Sequence, residues 1–421
     1  LKILYPKISI LIFKQPFRWL HTGAYDVRYP PILGIIRPSF LLLTPICVLL
    51  GIAVAHASDA AVDWTAGAVA MISAVAAHVS VNALNEYEDF RSGLDLRTVR
   101  TPFSGGSGTL VAGPGLAGAA RMIGLGALVL AALCALVLVW RVGWGLLPIA
   151  ASGLVLVYFY TSKISRNRWL CLVAPGLGFG PLMVVGTYFS VTGTWSGSAL
   201  LASLVPFFLV SNLLLLNQFP DVEADRSGGR DNLPVALGFQ PSLLVYGLFA
   251  VLAFASLGLG VAAGLLPPTA LIAMSTLPIA VAVYRGVNRT IQAGGPVTSA
   301  LVPSLALNAV LCLLTPALFS VGMLLDASPS ARRILVTSYV KIETSRFSHE
   351  AHKQAEMQCC LWVMDFVELY HRFHEVDICL HTIKATKTKN SFPRLPLVIR
   401  RARFDNFHFR LRSDAVTTFH P

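Results

Sequence analysis

Nine times along this chain a run of about 20 apolar residues occurs, the length a helix needs to cross the hydrocarbon core of a bilayer. The runs fall near 38–57, 64–85, 116–140, 143–161, 171–191, 197–218, 240–264, 267–284 and 297–325. A backbone in lipid has to satisfy its own polar groups, so open segments of this length fold as helices. The expected fold is all-α, a polytopic membrane helical bundle of about nine transmembrane helices. With 55% hydrophobic and 13% charged residues, the composition excludes an ordinary soluble domain, in which charged residues make up about 25%.

Three sections follow from the pattern. Residues 1–34 form a basic arm carrying Lys2, Lys7, Lys14 and Arg18, residues 35–326 a membrane domain, and residues 327–421 a polar tail. The arm's one apolar run, Ile8 to Phe13, is short and no small-residue cleavage site follows it, so a removable leader is not expected. The tail holds 15 Lys+Arg and seven of the ten histidines. It reads either as an appendage or as sequence foreign to the domain, and the metal-like spacing of His371, His374, Cys379 and His381 is given little weight there. The seven cysteines show no paired spacing, so no disulfide framework is expected.

Lysine and arginine set the orientation. Loops on the side of the arm carry Arg91, Arg97 and Arg100, then Lys163, Arg166 and Arg168, then Arg226 and Arg230, then Arg285 and Arg289. The opposite loops hold Asp59, Asp63 and Arg141. The first side is therefore expected to be cytoplasmic. Basic residues so placed serve topology, and no nucleic-acid partner is expected. His56 and His78, in or near apolar runs, read as hydrogen-bonded interior or interfacial residues.

Acids are the rare and informative charge. Eight of the 12 in residues 1–326 lie in two windows, 86–95 and 221–231, after the second and sixth runs. Both windows fall on the expected cytoplasmic side, and their matching places suggest two similar halves. One carboxylate at mid-membrane costs about 2.5–3.5 kcal/mol, so such clusters need compensation. Asn217, Asp221 and Asp225 are spaced i, i+4, i+8, which on a continuous helix stacks three hard-oxygen side chains on one face. Oxygen ligands of this kind suit Mg²⁺, which takes one or two carboxylates with water and substrate phosphate. In the first window Asn85 and Asp89 are one turn apart, and Gly93 permits a turn before Asp95. Gly105, Gly106 and Gly108 would let backbone N–H groups approach an anion. Acidic half-sites flanked by arginines meet the needs of a diphosphate ester, whose leaving charge metal and guanidinium stabilise. Pro220 is expected to disturb the backbone next to Asp221.

These residues resemble the UbiA-type intramembrane prenyltransferases, whose signatures are an Asn-Asp-x-x-Asp type motif after the second helix and an Asp-x-x-x-Asp motif after the sixth. The 1,4-dihydroxy-2-naphthoate polyprenyltransferase branch is the nearest in pattern: Asn85, Tyr87, Asp89, Gly93 and Asp95 fit its first motif, and Asn217, Asp221, Asp225 and Gly229 its second. Arg37-Pro38, Tyr160-Thr161 and Gly180-Pro181 are weaker matches. Glu86 stands where that branch has Asp, Arg230 where it has Lys, and the loop Ser162–Arg166 departs from it. The resemblance implies helices around a central cavity, and Mg²⁺-dependent transfer of a polyprenyl group from polyprenyl diphosphate to an aromatic acceptor on a quinone route. It implies Asn85, Asp89, Asp221 and Asp225 as Mg²⁺ and diphosphate ligands, with Asp89, Asp221 and Asp225 carrying catalysis. Asp95 and Asn217 would support them, and Arg100, Lys163 and Arg230 are the candidate phosphate contacts. Two alternatives stand beside it: a cation-coupled membrane transporter, and an enzyme of the same family with a non-aromatic acceptor.

Overall fold

The computed structural model describes residues 31–58, 60–294 and 297–327. The basic arm up to residue 30, Asp59, and the tail from residue 328 with its histidine spacing lie outside them. Among the described residues every regular element is helical. Nine principal helices follow in order: α1 (Pro38–Ala57), α2 (Trp64–Arg91), α3 (Pro114–Val142), α4 (Trp144–Phe159), α5 (Arg168–Thr192), α6 (Gly197–Asn217), α7 (Phe239–Ala262), α8 (Pro268–Gln292) and α9 (Val297–Ala327). Eight are long and apolar enough to span a bilayer, and α4 is a shorter apolar helix.

The largest departures from the expected spans are at α2 and α8, which run past 85 to Arg91 and past 284 to Gln292. Hydropathy ends where polar residues begin, but the backbone ladder does not. At α2 the extra turns carry Glu86 and Asp89, whose side chains find partners inside the protein. Helix starts follow capping chemistry. Asp63 accepts from the backbone N–H groups of Thr65 and Ala66, both at 3.0 Å, and Arg141 at the end of α3 donates to the same carboxylate at 2.8 Å. Asn167 and Ser196 cap α5 and α6 in the same way, each supplying an acceptor for N–H groups that have no helical partner.

Lipid tails are as apolar as leucine, so burial alone does little to hold such helices together, and close packing and hydrogen bonds take over. Gly176 and Gly180 on α5 show the packing. A Cβ on Gly176 would lie 2.2 Å from the Phe207 carbonyl oxygen, and one on Gly180 would lie 2.5 Å from that of Ser203. The α5 and α6 backbones thus touch along a Gly-x-x-x-Gly stripe. Beside it α5 widens into a π-helical stretch, Gly178–Val185, which contains Pro181. The hydrogen bonds centre on α6, which packs against α1, α5, α7 and α9. Asn212 donates to the Tyr246 carbonyl at 2.9 Å, and the Tyr246 hydroxyl donates to Asn308 Oδ1 at 2.9 Å. Three helices are pinned by two side-chain amides and one phenol.

The outer surface is apolar. Leu130, Leu133, Leu136 and Trp140 of α3 are exposed, Trp140 at 88%. Trp64, Trp140, Trp144 and Trp195 stand at the α1–α2, α3–α4 and α5–α6 turns, the end opposite the acidic windows, as an interfacial aromatic belt would. The four described cysteines, Cys47, Cys134, Cys171 and Cys312, are free.

Gly180→Val is expected to force α5 and α6 apart at an overpacking cost of about 1–3 kcal/mol, whereas Tyr246→Phe removes one interhelical bond, worth about 0.6 kcal/mol on average in membrane bundles. Thermal denaturation in detergent should rank Gly180→Val below Tyr246→Phe, and the reverse order would contradict this account of packing.

Candidate active site

One face of α2 forms the first half-site. Ala74, His78, Asn82, Asn85 and Asp89, at helical spacing, all line one large cavity. Asn85 donates to Asp89 Oδ2 at 2.9 Å and accepts from Thr161 Oγ1 at 3.1 Å. Glu86, fully buried, points elsewhere. It accepts from Arg37 at 2.5 Å and from the Ser107 backbone N–H at 3.0 Å, and the Ser107 hydroxyl donates to its other oxygen at 2.5 Å. This carboxylate thus ties the start of α1 to the glycine-rich loop. Arg37 itself sits in the left-handed region at φ 52°, a strained conformation for a side-chain-bearing residue, and the ion pair helps to hold it there.

After α2 the chain turns back. Gly93 has φ 73°, and the N–H groups of Leu94 and Asp95 both reach the Asp89 carbonyl, at 3.0 and 3.3 Å. This directs Asp95 into the cavity wall. Gly106, at φ 71°, presses its backbone on that side chain: a Cβ there would lie 2.7 Å from Asp95 Oδ1. Arg100 donates to the Asp95 carbonyl at 3.3 Å and packs its guanidinium under Gly108. It props the loop and does not line the cavity. Lys163 does not reach the site either: its ammonium lies 4.8 Å from the Phe159 ring centroid, on the exposed side. Neither residue occupies the phosphate-facing position expected of it, because each loop folds its basic group back on its own chain.

The second half-site also differs from the expected continuous stripe. α6 ends at Asn217, residues 218–221 are turns, and a new short helix runs Val222–Ser227. Pro220, with no N–H to donate, lies inside the break, so Asn217, Asp221 and Asp225 do not share one helix face. They still converge, because all three line the cavity. Asp221 takes hydrogen bonds from the Ser104 side chain and the Gly105 backbone, so the glycine-rich loop of the first half-site rests on the acid of the second.

Arg230 joins the halves. It donates through Nη1 to Asp225 at 3.3 Å and through Nη2 to Asp89, which lies 141 residues away in sequence. Asn232 completes the shell of Asp225 with a 2.7 Å bond to Oδ2. Burial lowers the Arg230 pKa, but the Asp89 and Asp225 carboxylates outweigh it and hold the guanidinium above its usual value. Elsewhere counter-charge is short. Among the described residues four carboxylates, Asp89, Asp95, Asp221 and Asp225, line the cavity; Arg230 acts on Asp89, Asp221 and Asp225, while Asp95 feels Arg37, already paired with Glu86, and Arg100. Burial, and then neighbouring acids, push Asp95 up to about 7. Burial, and then Asp225, do the same to Asp221, also to about 7.

These residues fit a divalent cation. Asn217 Oδ1, Asp221 Oδ1 and Asp95 Oδ2 are buried oxygens without a hydrogen-bond partner, and such orphans call for an explanation such as an ion. No group of three His, Cys, Asp or Glu among the described residues closes into a complete metal site. Mg²⁺ can be held by one or two carboxylates, with water and substrate oxygens filling the rest of its shell.

Cap included, the cavity measures about 900 Å³. Its walls descend through Ala135, Gly153 and Val157 to Ala70, Leu138 and Leu146, where a cluster that includes Phe189 packs behind them. In the sequence Arg37 and Thr161 are only weak matches to the family pattern, and nothing in the motif spacing marks Ser104 or Asn232. Asn232 carries one legible signal, since it precedes Leu233-Pro234 and caps the helix Leu233–Leu237.

An acid-capped apolar cavity inside a bundle of membrane-length helices suits an amphipathic substrate with a charged head and an apolar tail. A solved structure of digeranylgeranylglyceryl phosphate synthase shares the fold, with a TM-score of 0.51 and 15% identity over 70% of this chain and 98% of that one. The sequence model of the UbiA prenyltransferase family matches residues 44–301, more than half of the chain, and the protein belongs to that family. It is 27% identical over 220 residues to 1,4-dihydroxy-2-naphthoate octaprenyltransferase of Bacillus subtilis (strain 168), spanning 51% of this chain and 68% of that protein. It is 24% identical over 265 residues to 2-carboxy-1,4-naphthoquinone phytyltransferase of Synechocystis sp., spanning 61% and 82%. The protein is thus a membrane-embedded prenyltransferase, and the transporter alternative gives way.

Removing one partner of a buried ion pair costs about 3–5 kcal/mol. Glu86→Ala is therefore expected to release the loop around Ser107, seen as faster amide hydrogen exchange across residues 103–108, while Ser107→Ala should change exchange far less. Unchanged exchange in Glu86→Ala would show that the loop is held by something else.

Proposed function

We propose that the protein transfers a polyprenyl group from a polyprenyl diphosphate to an aromatic acceptor of quinone biosynthesis, with 1,4-dihydroxy-2-naphthoate as the leading candidate, at a site open to the cytoplasm. The observation that carries this reading is the cap itself: Arg230 bridging Asp89 and Asp225 beside the unpartnered oxygens of Asn217 and Asp221, over an apolar cavity. Both naphthoquinone-route relatives support the acceptor class, and the arginines of the loops beside the cap support the orientation.

In this reading Asn85, Asp89, Asp221 and Asp225 would hold Mg²⁺, with Asn217 and Asp95 supplying the remaining open oxygens. Bound there, Mg²⁺ would neutralise diphosphate oxygens and stabilise charge on the leaving group. Arg230 would add a guanidinium whose two N–H edges are already aimed by Asp89 and Asp225. In the loop 104–108, where the N–H groups of Ser104, Gly105 and Ser107 already have acceptors, Gly106 on the cavity wall would bring its backbone N–H toward the phosphates. As the allylic C–O bond breaks, its electron pair leaves with diphosphate and the carbon becomes electron-poor. An aromatic ring carbon attacks, the new C–C bond forms, and the ring loses a proton or its carboxylate as carbon dioxide. The cavity walls keep water from the cation.

Membranes containing the protein, supplied with Mg²⁺, a polyprenyl diphosphate and a panel of hydroxybenzoate, dihydroxynaphthoate, homogentisate and a glycerol-lipid alcohol, are expected to yield a prenylated aromatic product by mass spectrometry. Asp89→Ala and Asp221→Ala should each lower kcat by about 10²–10³, the loss typical of one removed electrostatic contact to a leaving or developing charge. Full activity in either variant, or product only from the glycerol-lipid alcohol, would overturn the reading.

A further inference from the structure

The cavity wall is not uniform. Ala131 and Ala135 of α3 and Ile149, Ala150 and Gly153 of α4 line one side with carbon alone. Where α2 packs on α1 and α5 it presents His78, an imidazole set in the apolar part of the lining and 7% exposed. By helix rise it lies about 16 Å along α2 from Asp89, well below the cap.

Its protonation pattern follows from its neighbours. Thr44 of α1 is fully buried, and its hydroxyl lies 2.7 Å from His78 Nδ1, the one hydrogen bond it makes among the described residues. A buried hydroxyl proton goes to an acceptor, so Thr44 donates and Nδ1 accepts. In a neutral imidazole the other nitrogen then carries the proton. Phe179 fixes the ring further, edge to face with centroids 4.9 Å apart. The Nε2–H group makes no hydrogen bond within the described residues, although the ring lines the cavity. The ring is interior and hydrogen-bonded, as its apolar setting suggested, but only half of it is satisfied.

An unmatched donor on an apolar wall is unfavourable unless a ligand meets it. A polyprenyl chain has no oxygen or nitrogen to offer. An aromatic acceptor does: its reacting carbon must stand at the allylic carbon just under the cap, and its hydroxyl, carboxylate or quinoid oxygen can extend inward. We infer that His78, oriented by Thr44 and Phe179, binds an oxygen of the aromatic acceptor through Nε2–H, and that the α3–α4 wall is left to the prenyl chain. This rests on the transfer reaction proposed above and adds the residue that selects an oxygenated acceptor.

The test uses the full chain in nanodiscs with Mg²⁺, geranylgeranyl diphosphate and 1,4-dihydroxy-2-naphthoate. One neutral hydrogen bond contributes about 0.5–1.5 kcal/mol, or about 2- to 12-fold. His78→Phe should raise the acceptor KM by that factor and leave the prenyl diphosphate KM unchanged, and His78→Gln, which keeps a donor, should recover much of the loss. Thr44→Val frees the ring without removing it and should give a smaller rise, which serves if His78→Phe folds poorly. Binding of the acceptor alone, under nitrogen and without prenyl diphosphate, should weaken in parallel. Acceptor affinity insensitive to all three substitutions, or equal rises in both KM values, overturns the assignment and leaves the transfer reaction standing. Wild-type protein that prenylates no aromatic acceptor removes the transfer reaction first, and this assignment with it.

Discussion

The ion pairs of Arg230 are the constraint around which the bundle is arranged. A guanidinium held between Asp89 at the end of α2 and Asp225 beyond the end of α6 can exist only if those two ends meet. Desolvating such charges is expensive, and their mutual attraction repays it only with good geometry and further hydrogen bonds. The site supplies those bonds through Asn85 to Asp89 and Asn232 to Asp225. It also leaves more negative charge than the arginine balances, and that surplus is what a metal-bound diphosphate would use.

A second ion pair, Arg37 with Glu86, does a different job from the same helix. Asp89 faces the cavity and Glu86, three residues earlier, faces the loop that closes over it. One helix end thus contributes both an acid on the cavity wall and the clamp on the glycine-rich loop. The bundle beneath is held in register by the α5–α6 glycine contact and by Asn212, Tyr246 and Asn308, as expected where lipid offers no advantage to burial.

Much of this was legible in the sequence. Runs of apolar residues gave all nine helices, because length and composition alone decide what spans a bilayer. The cap residues Asn85, Asp89, Asp95, Asn217, Asp221, Asp225 and Arg230 stood out because acids are rare in such a chain. Pairwise geometry was not legible. The break at Pro220 converts a regular stripe into a turn, and spacing arguments assume a helix that continues. Arg100 and Lys163 looked equivalent to Arg230 as charges, yet only folding decides which basic group points inward. Glu86 passed for a conservative replacement, although one added methylene accompanies a role in clamping the loop. His78 was read correctly as interior, but a sequence cannot tell that one of its two nitrogens lacks a partner.

The brevity of α4 has a further consequence. Its 16 residues rise about 24 Å, less than the roughly 30 Å of a typical hydrocarbon core, and this helix forms part of the cavity wall. A short span of this kind is met by local thinning of the bilayer, by snorkelling of flanking residues or by oligomerisation, each at a cost of fractions of a kcal/mol per Å. Where the bilayer thins to match α4, headgroups draw toward this wall of the cavity, and a long-tailed substrate entering from that leaflet would cross less hydrocarbon on the way.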